Sequence, residues 1–184
     1  MSKVFIGIGS NINPSKNVLS ALQALRAAVE LRGVSTVYST APERRPEQPR
    51  YYNCVAVVKT NLPPMELKHA VLDKIEKALG RKSARDRYAA RTIDLDILLY
   101  GDLTMRANGC TIPDPQLFKR PYCAIPMAEL EPGLLVPFVN KTIAELSGKF
   151  STKGMRALRK YSRGIRRKLG LTSMSGKPGR KVIA

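Results

Sequence analysis

The segment that most constrains this chain is residues 91–101, in which two aspartates alternate with large apolar residues. A period of two predicts a strand with one buried face. The apolar face would carry Ile93, Leu95, Ile97 and Leu99, and the other face Asp94, Asp96 and Leu98. Same-face neighbours lie roughly 6.5–7 Å apart, so the two carboxylates can converge on one or two hard cations, which take oxygen ligands. We therefore expect a strand that can hold divalent metal ions.

A cluster of positive charge leads into this strand. Residues 81–91 contain four arginines and one lysine. Paired aspartates for Mg²⁺ and arginines for phosphate oxygens are what phosphoryl-type transfer needs, because that chemistry depends on positioning and charge neutralisation. The alternative is that Asp94 and Asp96 face solvent and pair with Arg85 or Arg87, since Asp-x-Asp also occurs by chance.

Length and cysteine usage exclude several classes of protein. A chain of 184 residues with 43% apolar content fits one globular domain, and its sequence has no apolar run of about 18 residues for a transmembrane helix. The strand-like pattern begins at Val4, so we expect no signal peptide. Cys54, Cys110 and Cys123 are odd in number and far apart, so we expect reduced thiols in a cytoplasmic protein. With His69 as the single histidine, neither a histidine-based zinc site nor a catalytic triad is expected.

The order of elements predicts the fold class. Hydrophobic periodicity predicts strands at 4–9, 34–40, 51–60 and 93–99, helices at 17 to about 32 (ended by Gly33) and 63–79 (ended by Gly80), and shorter elements at 110–115, 122–130 and 140–146. The resulting βαββαβ order is the ferredoxin-like, α+β arrangement, an antiparallel sheet with both helices on one face. The other face would stay open for a site. Residues 41–50 form a polar loop of a length that is often functional.

A basic extension follows the predicted domain of residues 1–148. Residues 149–184 hold 12 of the 32 Lys and Arg residues and none of the acidic ones. A helix is predicted at about 151–169, with an apolar stripe of Met155, Leu158, Ser162, Ile165 and Leu169. Such a helix can bind nucleic acid or an acidic membrane surface; alternatively it is a solvated extension, or its stripe packs on the body. Residues 170–184 are expected to be a disordered end.

Several short motifs, taken in order, resemble the 6-hydroxymethyl-7,8-dihydropterin pyrophosphokinase family over residues 3 to about 147. The string Arg-Thr-Ile-Asp-Leu-Asp-Ile-Leu at 91–98 is the most specific of them. The other matching positions are Gly9-Ser10-Asn11, Thr40-x-Pro42, Tyr51-x-Asn53, Gly80-Arg81, Ile112-Pro113-x-Pro115, Arg120 and the run 126–132. The fold of that family agrees with the ferredoxin-like order.

The resemblance implies transfer of pyrophosphate from ATP to a dihydropterin in folate biosynthesis, with two Mg²⁺ ions as cofactors and a monomeric enzyme. Asp94 and Asp96 would bind the metal ions, and Arg81 and Arg91 would complete the catalytic set. The implied pterin contacts are Thr40, Pro42, Tyr51, Asn53 and Tyr122. The implied ATP contacts are Glu76, Arg81, Tyr88, Arg91, Ile97, Ile112, Asp114 and Arg120. Loops 43–50 and 82–90 would close over both substrates.

Four departures from the family pattern bear on activity. They are Glu43-Arg44 after the loop-opening proline, Ser83 in place of a loop arginine, Ala89 in place of a glycine, and Asp114 between two prolines in place of a histidine. Asp114 puts an acid where a donor to phosphate is expected, so we expect weaker ATP binding or slower turnover than in a typical member.

Two other functions fit parts of the sequence. One is a catalytically impaired homologue that binds nucleic acid through its basic extension. The other is a different Mg²⁺-dependent nucleotidyl or phosphoryl transferase on the same fold. Taken singly, Tyr51, Asn53, Glu76 and Arg120 each have an ordinary structural explanation. A flat heteroaromatic substrate accounts for Tyr51, Asn53 and Tyr122 together, which favours the pterin enzyme.

Overall fold

The computed structural model describes residues 1–82, 86, 88–107 and 109–171. Its elements in chain order are β1 Ser2–Ser10, α1 Pro14–Ala28, β2 Glu30–Val34, β3 Tyr38–Thr40, β4 Tyr51–Thr60, α2 Pro64–Glu66, a π-helical segment Leu67–Leu72, α3 Asp73–Ala78, β5 Asp94–Tyr100, β6 Met105–Ala107, β7 Cys110–Ile112, a 3-10 helix Pro115–Phe118, α4 Pro121–Leu130, β8 Leu135–Val136, β9 Lys141–Thr142, α5 Ile143–Ser147, β10 Arg156–Ala157 and α6 Arg159–Lys168. None of the helices in these ranges is long and apolar enough to span a lipid bilayer.

One antiparallel sheet organises the chain. Its strands lie in the order β10-β3-β4-β1-β5, and β2 also pairs with β4. Helix α1 and the continuous helical stretch from α2 to α3 pack on one face, where the buried side chains include Leu22, Leu25, Leu67 and Leu72. The predicted combination of helices with an antiparallel sheet is confirmed.

The opposite face of the sheet carries a second, smaller core. Phe5, Val57 and Leu99 of the sheet are buried against Met127 of α4 and Ile143 of α5. The expectation that this whole face stays open is therefore wrong for one end of the sheet. Apolar side chains at that end pack against α4 and α5, so only the other end can form a cavity.

The boundary between the first helix and the second strand differs from the prediction. Helix α1 ends at Ala28, and residues 30–34 form a strand against β4, in which Leu31 and Val34 are buried. Gly33 therefore does not end a helix; it follows a register irregularity in β2. Burial of Leu31 and Val34 in the sheet fixes residues 30–34 as a strand, because tertiary packing overrides a weak local preference.

The predicted strand at 34–40 is interrupted at Ser35–Val37. The Ser35 hydroxyl accepts a hydrogen bond from the Val55 amide at 2.9 Å, and the Ser35 amide donates to the Val55 carbonyl at 2.9 Å. The Ser35 hydroxyl thus replaces a backbone carbonyl as the acceptor for the Val55 amide, at the break between β2 and β3.

The aspartate strand β5, at one edge of the sheet, contains a bulge that the alternation does not predict. Ile97 pairs with Ile6 and Leu99 pairs with Phe5, so Leu98 is the extra residue. Leu99 consequently lies with Leu98 in the second core and not with Ile97 in the main core. Upstream of the bulge, the predicted alternation of Asp94 and Asp96 with buried neighbours is confirmed.

The C-terminal segment begins its helix later than predicted. Residues 156–157 pair with β3, and α6 starts at Arg159 rather than near residue 151. Its predicted stripe packs on the body, since Ile165 and Leu169 are buried in the main core. Most of the predicted disordered end, residues 172–184, lies outside the described residues.

Candidate active site

The open end of the second sheet face forms a cavity of about 600 Å³. Its floor is made by β1, where Gly7 lies between Val55 and Asp96, and Gly9 lies between Asn53 and Asp94. A Cβ atom at Gly9 would lie 3.0 Å from the Asn53 side-chain oxygen, which is tighter than almost all real Cβ contacts. Gly9 therefore leaves room between the side chains of Asn53 and Asp94.

The two predicted metal-binding carboxylates both line this cavity from β5. Burial, followed by the nearby charge of Asp94, raises the pKa of Asp96 to about 7, although 37% of the Asp96 side chain remains exposed. The Lys68 ammonium lies 4.0 Å from Asp96 and donates to the Leu95 carbonyl at 3.0 Å. The walls around Asp96 thus disfavour its charged form until a cation balances it.

Arginines surround the first carboxylate. Arg81 lies 2.7 Å from one oxygen of Asp94, and Arg91 is hydrogen-bonded to the other. Asp94 therefore does not depend on Arg85 or Arg87 for a partner; those two residues lie outside the described part of the chain. The arrangement brings two guanidinium groups and two carboxylates to one wall of the cavity, as transfer of a charged phosphoryl group requires.

Glu76 lies beneath this wall. Its carboxylate accepts a hydrogen bond from the Leu95 amide at 2.6 Å and pairs with Arg81. Burial raises the pKa of Glu76. This acid thereby connects helix α3 to strand β5 and holds Arg81 beside Asp94.

The other wall presents an amide and two aromatic rings. The Asn53 amide donates to the Thr40 hydroxyl at 2.8 Å, and both side chains are buried. Tyr51 and Tyr122 line the same space, and burial raises the pKa of both phenols. A flat, polar-edged ring could stack on these aromatics and exchange hydrogen bonds at its edge.

The loop after β3 contacts the residues that lead into β5. The Gln48 side chain accepts from the Asn11 amide at 3.1 Å and donates to the Tyr88 carbonyl at 2.9 Å. The Arg44 guanidinium lies 5.3 Å from the centre of the Tyr88 ring, within cation–π range. The Asn11 side-chain oxygen accepts from the Arg91 amide at 2.7 Å. Asn11 therefore links the turn after β1 to both segments.

Charged residues at the mouth form two further pairs. Arg120, at the start of α4, is hydrogen-bonded to Glu43 in the loop. Arg45 of the same loop lies 2.6 Å from Asp86. Both residues of the Glu43-Arg44 departure therefore make contacts at the cavity mouth, Glu43 with Arg120 and Arg44 with Tyr88.

The structure gathers most, but not all, of the predicted site residues. Those that line the cavity are Thr40, Pro42, Tyr51, Asn53, Arg81, Tyr88, Arg91, Asp94, Asp96, Arg120 and Tyr122. Ile97 and Ile112 are buried in the main core, so only their main chains could meet a ligand. Asp114 lies beside the cavity, where it accepts from the Gln116 amide at 2.7 Å. Ser83 lies outside the described residues.

Sequence reasoning missed several residues of the cavity wall. Gln116 and Lys119 line it from the 3-10 helix and the turn after it. The only sequence signal for Lys119 is its position next to Arg120. Cys123 also lines the cavity, and burial raises the pKa of its thiol.

Comparisons with known proteins identify relatives of this arrangement. The sequence model of the 7,8-dihydro-6-hydroxymethylpterin-pyrophosphokinase (HPPK) family matches residues 5–132. A 2-amino-4-hydroxy-6-hydroxymethyldihydropteridine pyrophosphokinase from Aquifex aeolicus is 36% identical over 146 residues, which cover 79% of this chain and 90% of that protein. The protein of the same name from Haemophilus influenzae is 34% identical over 158 residues, covering 84% of this chain and 97% of that protein.

Solved structures share the fold. The Plasmodium falciparum HPPK-DHPS structure with SDX-DHP superposes with a TM-score of 0.62 at 14% identity, covering 85% of this chain. This chain spans 47% of that longer protein. At this identity the likeness concerns the fold alone.

Proposed function

Because this chain belongs to the 7,8-dihydro-6-hydroxymethylpterin-pyrophosphokinase family, whose members are pyrophosphokinases of folate biosynthesis, we propose the reaction that it catalyses. It transfers pyrophosphate from Mg-ATP to 6-hydroxymethyl-7,8-dihydropterin and releases AMP. The observation that carries this proposal is one cavity with two aspartates and two arginines on one wall and an asparagine and two tyrosines on the other.

The pterin occupies the wall formed by β4 and α4. Tyr51 and Tyr122 stack on its ring, and Asn53 meets its amide-like edge with a donor and an acceptor. Thr40 fixes Asn53 through their 2.8 Å hydrogen bond. Pro42 borders the same space. Its fixed backbone torsion shapes the start of the loop.

ATP occupies the arginine side. Arg81, Arg91 and Arg120 bind its phosphates, since guanidinium groups match phosphate oxygens in pairs. Lys119 adds a fourth cation on the same cavity. Tyr88 and the main chains at Ile97 and Ile112 border the nucleotide. Glu76 acts by holding Arg81, and Asp114 lies close enough to oppose the phosphate charge.

The carboxylates fit magnesium. Asp94 and Asp96 are oxygen donors on alternate positions of one strand. Burial and then the charge of Asp94 raise the pKa of Asp96, and a divalent cation would favour its charged form. We propose that these two residues hold the two Mg²⁺ ions. When bound, the ions would neutralise phosphate charge.

Pyrophosphate transfer then follows from the positions of the substrates. The hydroxymethyl oxygen of the pterin forms a bond to the β-phosphorus of ATP. The bond from the β-phosphorus to the oxygen shared with the α-phosphate breaks, that oxygen leaves with AMP, and the hydroxyl proton of the pterin is released to solvent. Arg81 and Arg91 stabilise the charge that develops on the transferred and leaving groups.

The loops at 43–50 and 82–90 serve as lids. Gln48 bonded to Tyr88 and Arg44 stacked on the same tyrosine support this role, because these contacts bridge the two loops. Closing them excludes water, which would otherwise accept the pyrophosphate.

We assign the strand order to the ferredoxin-like class, with the catalytic domain at residues 1–148 and a basic extension at 149–184. We propose that the protein is a monomer. We also propose that it is located in the cytoplasm, because all three cysteines are unpaired. Nucleic acid is the proposed partner of the outer face of α6, where Arg159, Lys160, Arg163 and Arg167 are exposed. Since the catalytic side chains share one cavity, an impaired homologue is the less supported alternative.

The test is AMP formation from Mg-ATP with and without 6-hydroxymethyl-7,8-dihydropterin. The wild-type protein should form AMP only with the pterin, and EDTA should stop it. Asp96→Asn should lower the rate at least about 100-fold. Asp102→Asn, which changes an exposed aspartate outside the cavity, is the matched control. Folded wild-type protein that forms no pterin-dependent AMP would refute the proposal.

A further inference from the structure

The C-terminal segment at residues 154–171 lies beyond the part of the chain that the family model matches, and it is attached beside the pterin wall. We propose that this segment is a positioning element for the pterin half of the cavity, and that it acts through Arg50. The inference rests on the proposed function.

The segment supplies a strand to the sheet edge next to the cavity. Arg156 pairs with Ser39 and Ala157 pairs with Tyr38. The Leu158 amide then donates to the Val37 carbonyl at 2.8 Å. Strand β3 is three residues long and ends at Thr40. Its pairing with β10 therefore helps to fix where loop 41–50 begins.

Arg50 connects this strand pair to the far end of the same loop. Its guanidinium donates to the Ser39 hydroxyl at 2.9 Å, to the Ser39 carbonyl at 3.0 Å and to the Gly154 carbonyl at 2.9 Å. Ser39 precedes Thr40, and Arg50 precedes Tyr51. One side chain therefore joins both stems of loop 41–50 to the C-terminal segment. The planar arrangement of its donors suits three acceptors at once.

Helix α6 gives the segment a firm anchor. The Ser162 hydroxyl accepts from the Val37 amide at 2.9 Å, and Ile165 is buried in the main core. The Tyr161 ring lies 5.7 Å from the Tyr52 ring, which belongs to the residue between Tyr51 and Asn53. The anchor thus reaches both β3 and β4, the strands that present the pterin contacts.

This arrangement assigns Arg50 a role that differs from those of the other arginines near the site. Arg81, Arg91 and Arg120 line the cavity, whereas Arg50 is not among the lining residues. Arg50 is therefore a positioning residue. Its loss should affect the substrate bound beside Thr40 and Asn53 far more than the substrate bound beside Arg91.

The experiment compares steady-state constants and pterin affinity for wild type, Arg50→Met, Arg50→Lys and Arg106→Met. Arg50→Met keeps a long side chain but removes all three donated hydrogen bonds. Its KM and Kd for the pterin should rise about tenfold, as expected for the loss of charge-assisted hydrogen bonds, while kcat and the KM for ATP change less than about twofold. Arg50→Lys should recover part of the pterin affinity. Arg106→Met, at an exposed position of β6 outside the cavity, should match wild type.

Amide hydrogen exchange at residues 37–41 separates positioning from a general loss of stability. Faster exchange there together with weaker pterin binding supports the proposal. Faster exchange with unchanged pterin binding overturns it, and so does an equal rise in KM for both substrates. Wild-type turnover tests the reaction itself, and only the ratio of variant to wild type tests Arg50, so the two failures are distinguishable.

Discussion

At the scale of single residues, two glycines of β1 mark the boundary between the second core and the cavity. Along one face of β1, Phe5 is followed by Gly7 and Gly9. Phe5 fills the space between Val57 and Leu99, and the Leu98 side chain would lie 3.2 Å from a Cβ atom at Gly7. Gly9 leaves room beside Asn53, and a side chain there would enter the cavity in which we propose that the substrates bind.

Gly9→Ala tests this directly. Its Cβ would lie 3.0 Å from the Asn53 side-chain oxygen, so Asn53 must shift and its hydrogen bond to Thr40 would be disturbed. We expect the KM for the pterin to rise about tenfold or more, because a buried polar edge loses its partner. Gly133→Ala is the control, since nothing lies within 4 Å of its Cβ. Unchanged pterin affinity in Gly9→Ala would contradict the assignment of Asn53.

Asp114→Asn tests the acid near the phosphate side. An asparagine oxygen can still accept from the Gln116 amide and so preserve the turn, while one negative charge is removed. The KM for ATP should fall about two- to fivefold, the range expected for a charge partly screened by water. Asp102 is exposed outside the cavity, so Asp102→Asn should leave the KM for ATP unchanged. An ATP affinity that does not improve would show that Asp114 does not oppose the nucleotide.

At the scale of elements, the sequence predicts those whose pattern is decided locally. Strand β4 is found at the predicted residues 51–60, and the alternation of Asp94 and Asp96 correctly places both carboxylates on one face. Strand β2 was missed because the predicted helix was extended past Val29, the last residue of its apolar stripe, to Gly33, and only the pairing with β4 reveals a strand. The bulge at Leu98 is likewise set by the register with β1. Neither the pairing of β2 with β4 nor the register of β5 with β1 can be predicted from local periodicity.

The same limit applies to the site. Strand alternation predicts that Tyr51 and Asn53 lie on the same face of β4. The positive charge next to the aspartates in the sequence predicts arginines in the site. The role of Glu76 cannot be predicted in this way, because a helical acid at that spacing is usually exposed, whereas here the side chain is only 8% exposed. Its contacts with Leu95 and Arg81 arise from packing α3 against β5.

Glu76→Ala tests that connection between helix and strand. It leaves the buried Leu95 amide without its acceptor and removes one partner of Arg81. We expect the free energy of unfolding to fall by about 2–4 kcal/mol, measured by urea denaturation, with a loss of activity as Arg81 is released. Glu66→Ala, at an exposed position in α2, should be nearly neutral. A normal stability with a specific loss of ATP affinity would instead make Glu76 a direct nucleotide contact.

At the scale of the whole molecule, charge is distributed unevenly. The net charge is +18, and residues 149–184 contribute 12 basic residues and no acidic ones. Within the described part of the chain, α6 turns its apolar residues inward and leaves Arg159, Lys160, Arg163 and Arg167 exposed. The segment is thus attached through one face and highly charged on the other.

The exposed face predicts weak nucleic-acid binding that depends strongly on salt. Replacing both Arg163 and Arg167 with glutamine should weaken binding to duplex DNA and lower the slope of log K against log salt by about 2, because each neutralised phosphate contributes about 0.9. Pterin-dependent activity should not change, since neither residue lines the cavity. Binding with the same salt slope in this variant would contradict a role for this face.

The measurement that tests the central claim most directly is the fate of the β-phosphorus. ATP labelled at that phosphorus is incubated with the protein, Mg²⁺ and 6-hydroxymethyl-7,8-dihydropterin, and the products are separated. Transfer of pyrophosphate at this cavity predicts that the label moves to the pterin product while the nucleotide product is unlabelled AMP. Label retained in ADP would mean that only the γ-phosphoryl group is transferred, and label in free phosphate or pyrophosphate would mean hydrolysis. Either result would contradict the function proposed for this site.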